Sequence, residues 1–401
     1  MSKVKKAAVT FIFITVLIDV IGFGIIIPVL PDLLAEMMDI GINDASKYGG
    51  LLLFAFAIPQ FLFSPFFGSL SDRFGRRPVI LLSLFGFTID YIILALAPTY
   101  IWLVFGRIVA GFFGASYTTA SAYIADISTD KNRSQNFGML GAAFGMGFVI
   151  GPLIGGVLGS YGLRLPFYAA AVLTFLNFLY GYFILPESLS EENRRAFEWK
   201  KANPLSTLVK LSKYKNLSVL LLAYFLIYLG AHAVQSNWTY FTMYRFDWSP
   251  FTVGISLAVV GVLVGVVQAM LAQKAADRFG LKKSIIYGFL LYTIGMFLFA
   301  FATASWMMFA FLIPYCLGGI SSPNLQALMV SEVPENEQGE LQGGLTSVGS
   351  ITTIIGPVMM TGIFYYFTTE NAPFHFPGSA FFLGGIFMLI SYFLAYFALR
   401  D

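Results

Sequence analysis

Long apolar segments recur along the whole chain, and they constrain its fold more than any other feature. A helix needs about 20 predominantly apolar residues to cross a bilayer. Only 11% of the residues are charged, against about 25% in a soluble domain, so this composition cannot build a water-exposed surface. The sequence predicts an all-α integral membrane protein. We place its twelve transmembrane helices at residues 7–31, 47–67, 79–97, 100–125, 134–159, 164–185, 216–243, 250–272, 284–302, 304–329, 339–367 and 378–399.

The positive charges predict how the chain is oriented. Of its 24 Lys and Arg residues, 20 fall in the termini and in the loops on the same side of the membrane. Three lie in loops on the opposite side, Lys47, Arg164 and Arg245, and Arg107 falls within an apolar segment. Because Lys and Arg are enriched in cytoplasmic loops, we expect both termini to lie in the cytoplasm.

A hydrophilic stretch and an internal repeat divide the chain in two. Residues 186–215 are rich in charge and separate six apolar segments from six more. The run Asp72-Arg73-Phe74-Gly75 returns as Asp277-Arg278-Phe279-Gly280, which is an offset of 205 residues. Repeats with an even number of helices have the same orientation in the membrane. We therefore predict two pseudo-symmetric six-helix bundles, at 1–185 and 216–401, joined by a cytoplasmic linker at 186–215.

The repeated run belongs to a polar stretch between the second and third segments, residues 68–78. We interpret this stretch as a cytoplasmic gate. Asp72 is expected to meet the positive N-terminal end of helix 11 near Gly339, and an arginine of the stretch is expected to reach Asp126. The alternative is a purely topological anchor under the positive-inside rule. The candidate gating residues here are Gly68, Asp72, Arg73, Gly75, Arg76, Arg77 and Asp126.

Small residues line one face of the fifth segment. Gly147, Gly151 and Gly155 recur every four residues, with Pro152 beside them. Small residues at this spacing let membrane helices approach closely, and a proline inside a helix bends it. We predict that these four residues form a close-packed seam that takes part in gating.

Three charged side chains lie inside the apolar segments: Asp19, Asp90 and Arg107. At about 1.5 Å of helix rise per residue, all three fall in one slab slightly beyond the bilayer midplane. Ionisable groups there are costly and mark ion pathways or pairs. In one interpretation Asp19 and Asp90 exchange protons and Arg107 tunes them. In the other, Asp90 and Arg107 form a static ion pair and Asp19 is the unpaired group.

Polar and aromatic residues at the depth of these charges are predicted to contact a transported molecule. His232, the one histidine within a segment, is interpreted as a hydrogen-bonded structural residue. The positions 205 residues after Asp19, Asp90 and Arg107 carry no charge, so the coupling chemistry is expected in the N-terminal half. The candidate substrate-binding residues are Gln60, Tyr91, Tyr117, Asn237, Trp238, Gln268, Tyr292 and Gln326.

Several motifs together resemble those of the major facilitator superfamily, and within it the bacterial tetracycline/proton antiporters. The likeness covers essentially the whole chain. It implies proton-driven efflux by alternating access in a bacterial inner membrane, with Asp19, Asp90 and Arg107 matching that family's embedded functional charges and Gln60 a substrate-region residue. The motifs that carry it are Gly68 to Pro78, Arg107-x₃-Gly111-x₃-Ala115, Gly147-x₃-Gly151-Pro152-x₂-Gly155-Gly156 and Asp19-x-x-Gly22-x-Gly24.

The chain departs from the tetracycline exporters at two positions of its C-terminal half. Those exporters carry a functional His in helix 8 and a functional Asp in helix 9. The aligned positions here hold Val264 and Tyr292. This difference favours another amphipathic, drug-like substrate over tetracycline itself.

The second interpretation of function is a symporter or uniporter for a small metabolite such as a sugar, organic acid or siderophore. The chain contains no H-E-x-x-H, G-x-S-x-G or nucleotide-binding G-x-x-x-x-G-K-[ST] motif, so neither an enzyme nor an ATP-driven pump is expected. We expect no cofactor, metal or nucleic acid. The expected partners are protons, a small-molecule substrate and the lipid bilayer, and the protein is expected to be a monomer.

Overall fold

The residues that the structure describes include twelve helices that are long and apolar enough to cross a membrane. The computed structural model describes residues 3–114, 116–129, 132–194, 215–334 and 338–400, and these contain no β-strand. The prediction of an all-α membrane protein with twelve transmembrane helices is therefore confirmed. The helices are α1 (Lys3–Ile26), α2 (Ile42–Phe74), α3 (Arg76–Leu96), α4 (Tyr100–Ile127), α5 (Arg133–Gly159), α6 (Leu165–Ile184), α7 (Lys215–Phe246), α8 (Pro250–Phe279), α9 (Leu281–Ala300), α10 (Ser305–Ser331), α11 (Gln338–Thr368) and α12 (Ser379–Ala398).

Helix α1 ends earlier than the sequence predicted. The apolar pattern extends to residue 31, whereas the helix stops at Ile26, a turn follows, and a separate short helix covers Leu30–Met38. Two prolines explain the difference. Pro28 lacks the N–H that would continue the first helix, and Pro31 falls in the first turn of the second helix, where a missing N–H costs nothing.

Helix α2 extends further than predicted. It runs unbroken from Ile42 to Phe74 with Pro59 and Pro65 inside it. Membrane helices tolerate prolines because neighbouring groups satisfy the freed carbonyls. As a result, most of the polar stretch 68–78 is helical rather than a loop.

Three of the other helices contain local breaks. Helix α4 consists of Tyr100–Phe113 and Ser116–Ile127, separated at Gly114, and Ala115 lies outside the described residues. Helix α8 contains a π-turn at Val267–Leu271, and α10 contains a 3₁₀ turn at Gly318–Ile320. Such turns inside membrane helices are common at functional positions.

The chain divides into two compact units. Helices α2 and α8 each contribute to both. Residues 195–214, most of the predicted linker, lie outside the described residues, so the predicted domain boundaries stay a prediction. The first unit comprises the described parts of Met1–Ile40, Ala55–Ala202 and Ser249–Ala258, and the second those of Gly41–Phe54, Asn203–Trp248 and Val259–Asp401.

The two units contain the same helix pairings. In the first, α1 packs against α5 and α3 packs against α6. In the second, α7 packs against α11 and α9 packs against α12. Each pairing recurs six helices later, which is the arrangement that an internal repeat of two six-helix halves produces.

Matching glycines separate the repeated helices. Gly75 lies between α2 and α3 with φ at 106°, and Gly280 lies between α8 and α9 with φ at 79°. These are the only glycines with positive φ in the described part of the chain. Glycine adopts such angles without the steric penalty that a Cβ brings. Residues 205 positions apart in the sequence thus also share an unusual backbone conformation.

The glycine stripe of α5 packs directly on the backbone of α1. A Cβ on Gly151 would lie 2.8 Å from the carbonyl oxygen of Ile21 and 3.0 Å from the Cα of Gly24. Gly155 faces the backbone of Ile25 in the same way, and Pro152 lies against Gly24. One turn earlier, Gly147 faces Val20 and the carbonyl oxygen of Leu17. The predicted close-packed seam is therefore the contact between α5 and α1.

Candidate functional site

A cavity of about 230 Å³ lies within the first unit, among its helices. Its wall is mostly apolar, with a few polar and charged groups that converge on it, as is usual for small-molecule sites. Six of the residues singled out in the sequence share this cavity: Asp19, Gln60, Tyr91, Tyr117, Asp90 and Arg107. The other lining residues are Val16, Val20, Phe23, Phe56, Phe87, Ala110, Ser116, Phe144 and Thr174.

Asp90 and Arg107 form a buried ion pair in this cavity. Asp90 is fully buried, Arg107 is nearly so, and an Arg107 guanidinium N–H donates to Oδ2 of Asp90. The guanidinium also lies over the ring of Tyr91, 5.8 Å from its centroid. Oδ1 of Asp90 and Nε of Arg107 are buried without a hydrogen-bond partner. The structure therefore shows the pairing that the second interpretation required, with bonding capacity left over on both partners.

Within the described part of the chain, Asp19 has no cationic partner of this kind. The hydroxyl of Ser116 hydrogen-bonds the carboxylate, while Oδ1 of Asp19 is buried with no partner. Ser116 begins the second part of α4, immediately beyond the break at Gly114. An intramembrane carboxylate with an open bonding position is the arrangement expected of a group that takes up and releases a proton.

The remaining first-unit candidates surround these charges. The side-chain amide of Gln60 donates to the carbonyl oxygen of Gly114 at 3.1 Å, across the break in α4. Tyr91 is buried, and Gly22 of α1 leaves room for its hydroxyl. Tyr117 is 48% exposed and stands edge-on to Phe144. Gln60, Tyr91 and Tyr117 are thus available to line a binding surface beside Asp19.

Three candidates of the second unit differ in their surroundings. Trp238 is 1% exposed and packs among the rings of Trp248, Phe299 and Phe381, which is the environment of a core residue. Asn237 is fully buried, and neither its amide oxygen nor its amide nitrogen has a partner. Gln268 is exposed on the π-turn of α8.

The other two candidates of the second unit are half-buried and hydrogen-bonded. Tyr292 bonds the hydroxyl of Ser322 and packs on Tyr315, with ring centroids 5.3 Å apart. Gln326 bonds the hydroxyl of Tyr224 on α7. His232 of α7 lies against Gly356 of α11. Among the described residues, no group of three or more His, Cys, Asp or Glu side chains is placed to hold a metal ion.

Arg76 is the arginine of the polar stretch that reaches Asp126. Its Nε donates to Asp126 at 3.1 Å, and its Nη1 donates to Asp72 at 2.5 Å and to Ser71 at 2.7 Å. By contrast, Arg73 lies over the ring of Phe74, and a Cβ on Gly68 would meet nothing within 4 Å. Arg76 therefore joins the end of α2 to the end of α4 through two carboxylates.

Glu187 is a member of this cluster that the sequence analysis missed. Its carboxylate accepts the backbone N–H groups of Arg76 at 2.8 Å and Arg77 at 3.1 Å. These are the first residues of α3, where N–H groups lack intrahelical partners and a negative charge is favoured. The hydroxyl of Tyr123 donates to the carbonyl oxygen of Pro186 at 2.8 Å, and Ser188 donates to Asp126 at 3.0 Å. Residues 186–188, which follow α6, are thus hydrogen-bonded to the start of α3 and to the end of α4.

The signals for the two missed residues were weak. Glu187 directly follows a proline at the end of an apolar segment, where the sequence already calls for a helix end. Ser116 directly follows the x₃-spaced motif of α4. In both cases the partner lies on a helix that the sequence alone does not bring near.

Gly75 and Gly280 provide a matched test of the contact between Glu187 and the start of α3. Alanine at either position forces a side chain into a conformation that costs about 1–3 kcal/mol. A Cβ on Gly75 would also overlap the carboxylate of Glu187, whereas a Cβ on Gly280 would meet nothing within 4 Å. Gly75→Ala is expected to lower the thermal midpoint in detergent more than Gly280→Ala does. Equal losses would show that the contact with Glu187 adds nothing to stability.

Twelve apolar helices in two repeated units, with charges buried around a cavity, define a polytopic membrane protein of the transporter kind. The sequence profile of the Major Facilitator Superfamily matches residues 12–272 and 220–401, and the chain belongs to this family. It is 43% identical to the tetracycline resistance protein, class C, of Escherichia coli, over 87% of this chain and 88% of that protein. It is 29% identical to multidrug resistance protein 2 of Bacillus subtilis (strain 168), over 95% and 94% of the two chains.

Solved structures agree with this assignment at the level of the fold. The nucleoside transporter NupG superposes with a TM-score of 0.79 at 12% sequence identity, over 98% of this chain and 99% of that one. The resemblance that the sequence motifs suggested, to the superfamily and to its tetracycline/proton antiporters, is confirmed by these comparisons.

Proposed function

We propose that the protein exports an amphipathic, drug-like molecule in exchange for protons, by alternating access. The observation that carries this proposal is the cavity of the first unit, where the open carboxylate of Asp19 lies in the same wall as the Asp90–Arg107 pair. Relatives similar over most of the chain are named for tetracycline and multidrug resistance. Both lines of support point to efflux of an amphipathic, drug-like compound.

Protons drive the export in this proposal, and no cofactor is needed. Asp19 takes up a proton from the outer side and releases it to the cytoplasm, and the cargo moves the opposite way. Asp90 is the second titrating group. Because Arg107 holds its carboxylate, Asp90 exchanges a proton only when that pair opens. The protein acts as a monomer in a bacterial inner membrane with both termini in the cytoplasm, as the positive-inside rule favours.

The cluster of Arg76, Asp72, Asp126 and Glu187 is the gate in this scheme. It ties the ends of α2, α3, α4 and α6 together with charge-assisted hydrogen bonds, the stronger class of hydrogen bond. The gate holds one side closed while these bonds are intact. Asp72 meeting the N-terminal end of α11 remains part of the proposal, alongside the observed contacts to Arg76.

The cargo is identified here by its chemistry. The cavity contributes aromatic rings, an amide and four hydroxyls beside the charges, which suits a multi-ring molecule with scattered polar groups. A metabolite symporter or uniporter is the second candidate. The replacement of the family's helix 8 His and helix 9 Asp by Val264 and Tyr292 favours a broader drug-like range over tetracycline alone.

Everted membrane vesicles test the direction of coupling. With an interior-acid pH gradient established, adding tetracycline or ethidium is expected to release protons from the vesicles as the compound is taken up. A symporter would move protons and cargo in the same direction. A uniporter would transport with no change in the gradient. Vesicles lacking the protein provide the baseline, and uptake independent of the gradient would contradict the proposal.

A further inference from the structure

Four tyrosines form a cluster in the second unit. The rings of Tyr224 and Tyr228 on α7 have centroids 4.3 Å apart, and those of Tyr292 on α9 and Tyr315 on α10 are 5.3 Å apart. Gln326 and Ser322 lie one turn apart on α10 and hydrogen-bond Tyr224 and Tyr292 respectively, so the two pairs are neighbours. Four aromatic rings from three helices therefore meet at one place.

Hydrogen bonds connect the polar ends of this cluster. Tyr224 bonds both Tyr228 and the side-chain amide of Gln326. Tyr292 bonds the hydroxyl of Ser322. Tyr228, Tyr292, Ser322 and Gln326 are half-buried, so part of each residue is accessible from outside the protein. The group combines flat apolar faces with neutral hydrogen-bonding groups, each of which can act as donor or acceptor.

The internal repeat relates this cluster to the cavity of the first unit. Adding 205 to the number of a residue in the first repeat gives the number of its counterpart in the second. Gly75 and Gly280, related in this way, both have positive φ, so the correspondence holds in the backbone as well. Each of five members of the second-unit group is the counterpart of a residue that lines the first-unit cavity. The pairs are Tyr224 with Asp19, Tyr228 with Phe23, Tyr292 with Phe87, Tyr315 with Ala110, and Ser322 with Tyr117.

The charges of the first unit have no counterpart here. Gly295 and Leu312 occupy the positions that correspond to Asp90 and Arg107, and Tyr224 occupies that of Asp19. The same place in the repeated fold thus carries charge in one unit and phenols in the other. Phenol hydroxyls bind neutral polar groups, and their rings stack on planar molecules.

We propose that Tyr224, Tyr228, Tyr292, Ser322 and Gln326 form a binding subsite for the exported molecule. The subsite takes planar, multi-ring compounds that carry hydroxyl or carbonyl groups, and it recognises them by stacking and by neutral hydrogen bonds. This inference rests on the proposed function and deepens it. The second unit thereby adds cargo recognition to that of the first-unit cavity, where the charges that couple export to protons lie.

Removing hydroxyls while keeping the rings tests the subsite. The variant Tyr224→Phe/Tyr292→Phe is compared with wild type by measuring KM and Vmax for uptake into everted vesicles. Tetracycline is the hydroxyl-rich and carbonyl-rich probe, and ethidium is a planar probe with neither group. Each lost neutral hydrogen bond is expected to raise the KM for tetracycline by about threefold to tenfold. Vmax, proton release and the KM for ethidium should stay near wild type.

Two further variants separate recognition from general damage. Tyr287→Phe makes the same change on the same helix at an exposed tyrosine outside the cluster, and it should leave every parameter unchanged. Tyr292→Leu removes the ring as well and should raise the KM for both probes. A cluster that only packs the helices together would lower Vmax and protein yield for both probes alike.

The outcomes distinguish this inference from the function on which it rests. An unchanged KM for tetracycline in the double variant, or equal shifts for the two probes, would overturn the subsite and leave proton-coupled export standing. Tetracycline-selective loss with intact Vmax supports it. If the wild-type protein exports neither probe, the proposed function itself is contradicted and the subsite with it.

Discussion

Changing Asp19 to Asn is expected to abolish export driven by a proton gradient while leaving exchange of cargo in place. Asparagine keeps the size and the hydrogen bond to Ser116 but has no proton to give up. Uptake into everted vesicles under a pH gradient should fall to the level of vesicles without the protein. Exchange of labelled for unlabelled tetracycline or ethidium, with no gradient imposed, should continue because it requires no net proton movement.

The control for this change is Asp39→Asn. Asp39 is exposed, lies outside the cavity, and has φ at 54°, an angle that asparagine accepts. The Asp39→Asn variant should transport like wild type. Gradient-driven uptake at the wild-type level in Asp19→Asn would remove Asp19 from the coupling scheme and leave Asp90 as the candidate. Loss of exchange as well would indicate a folding or binding defect instead.

Breaking the buried ion pair is expected to cost more stability than any other single change in the cavity. Arg107→Gln leaves the carboxylate of Asp90 buried and unpaired, and removing one partner of such a pair typically costs about 3–5 kcal/mol. The thermal midpoint in detergent should fall sharply. The double variant Asp90→Asn/Arg107→Gln removes both charges, and it should recover most of the lost stability without restoring gradient-driven export.

Arg164→Gln is the matched control for that experiment. Arg164 donates to the carbonyl oxygens of Ala95 and Ala97 at 2.9 and 2.8 Å, so it too has partners, but they are neutral and lie at a helix end. Arg164→Gln should therefore lower the thermal midpoint less than Arg107→Gln does. If the double variant were no more stable than Arg107→Gln, the unpaired charge would not be the cause of the destabilisation.

The sequence predicted the helices well because the bilayer imposes their length. Twelve apolar segments correspond to twelve helices, and the polar stretch and its weaker copy correspond to two matching breaks at Gly75 and Gly280. The errors lie where proline acts in two ways. Pro28 and Pro31 ended α1 early, whereas Pro59 and Pro65 did not interrupt α2, and composition does not distinguish these cases.

The first-unit cavity was predictable in outline, since the depth of Asp19, Asp90 and Arg107 placed them in one slab. Which pair forms was not predictable, because it depends on the rotation of α3 and α4 about their axes. The same limit hid Ser116 and Glu187, whose partners lie on other helices. It also hid the surroundings of Trp238, which was predicted to contact the substrate and packs within an aromatic core.

The seam between α1 and α5 has a consequence for how variation in this chain should be interpreted. At Gly24, Gly151 and Gly155, one helix rests on the backbone of the other, so even a single added methyl group has nowhere to go. A saturation mutagenesis screen should find these positions as intolerant as the charged cavity residues. Intolerance at these three positions would then reflect the short distance between the two helix backbones and not contact with any transported compound.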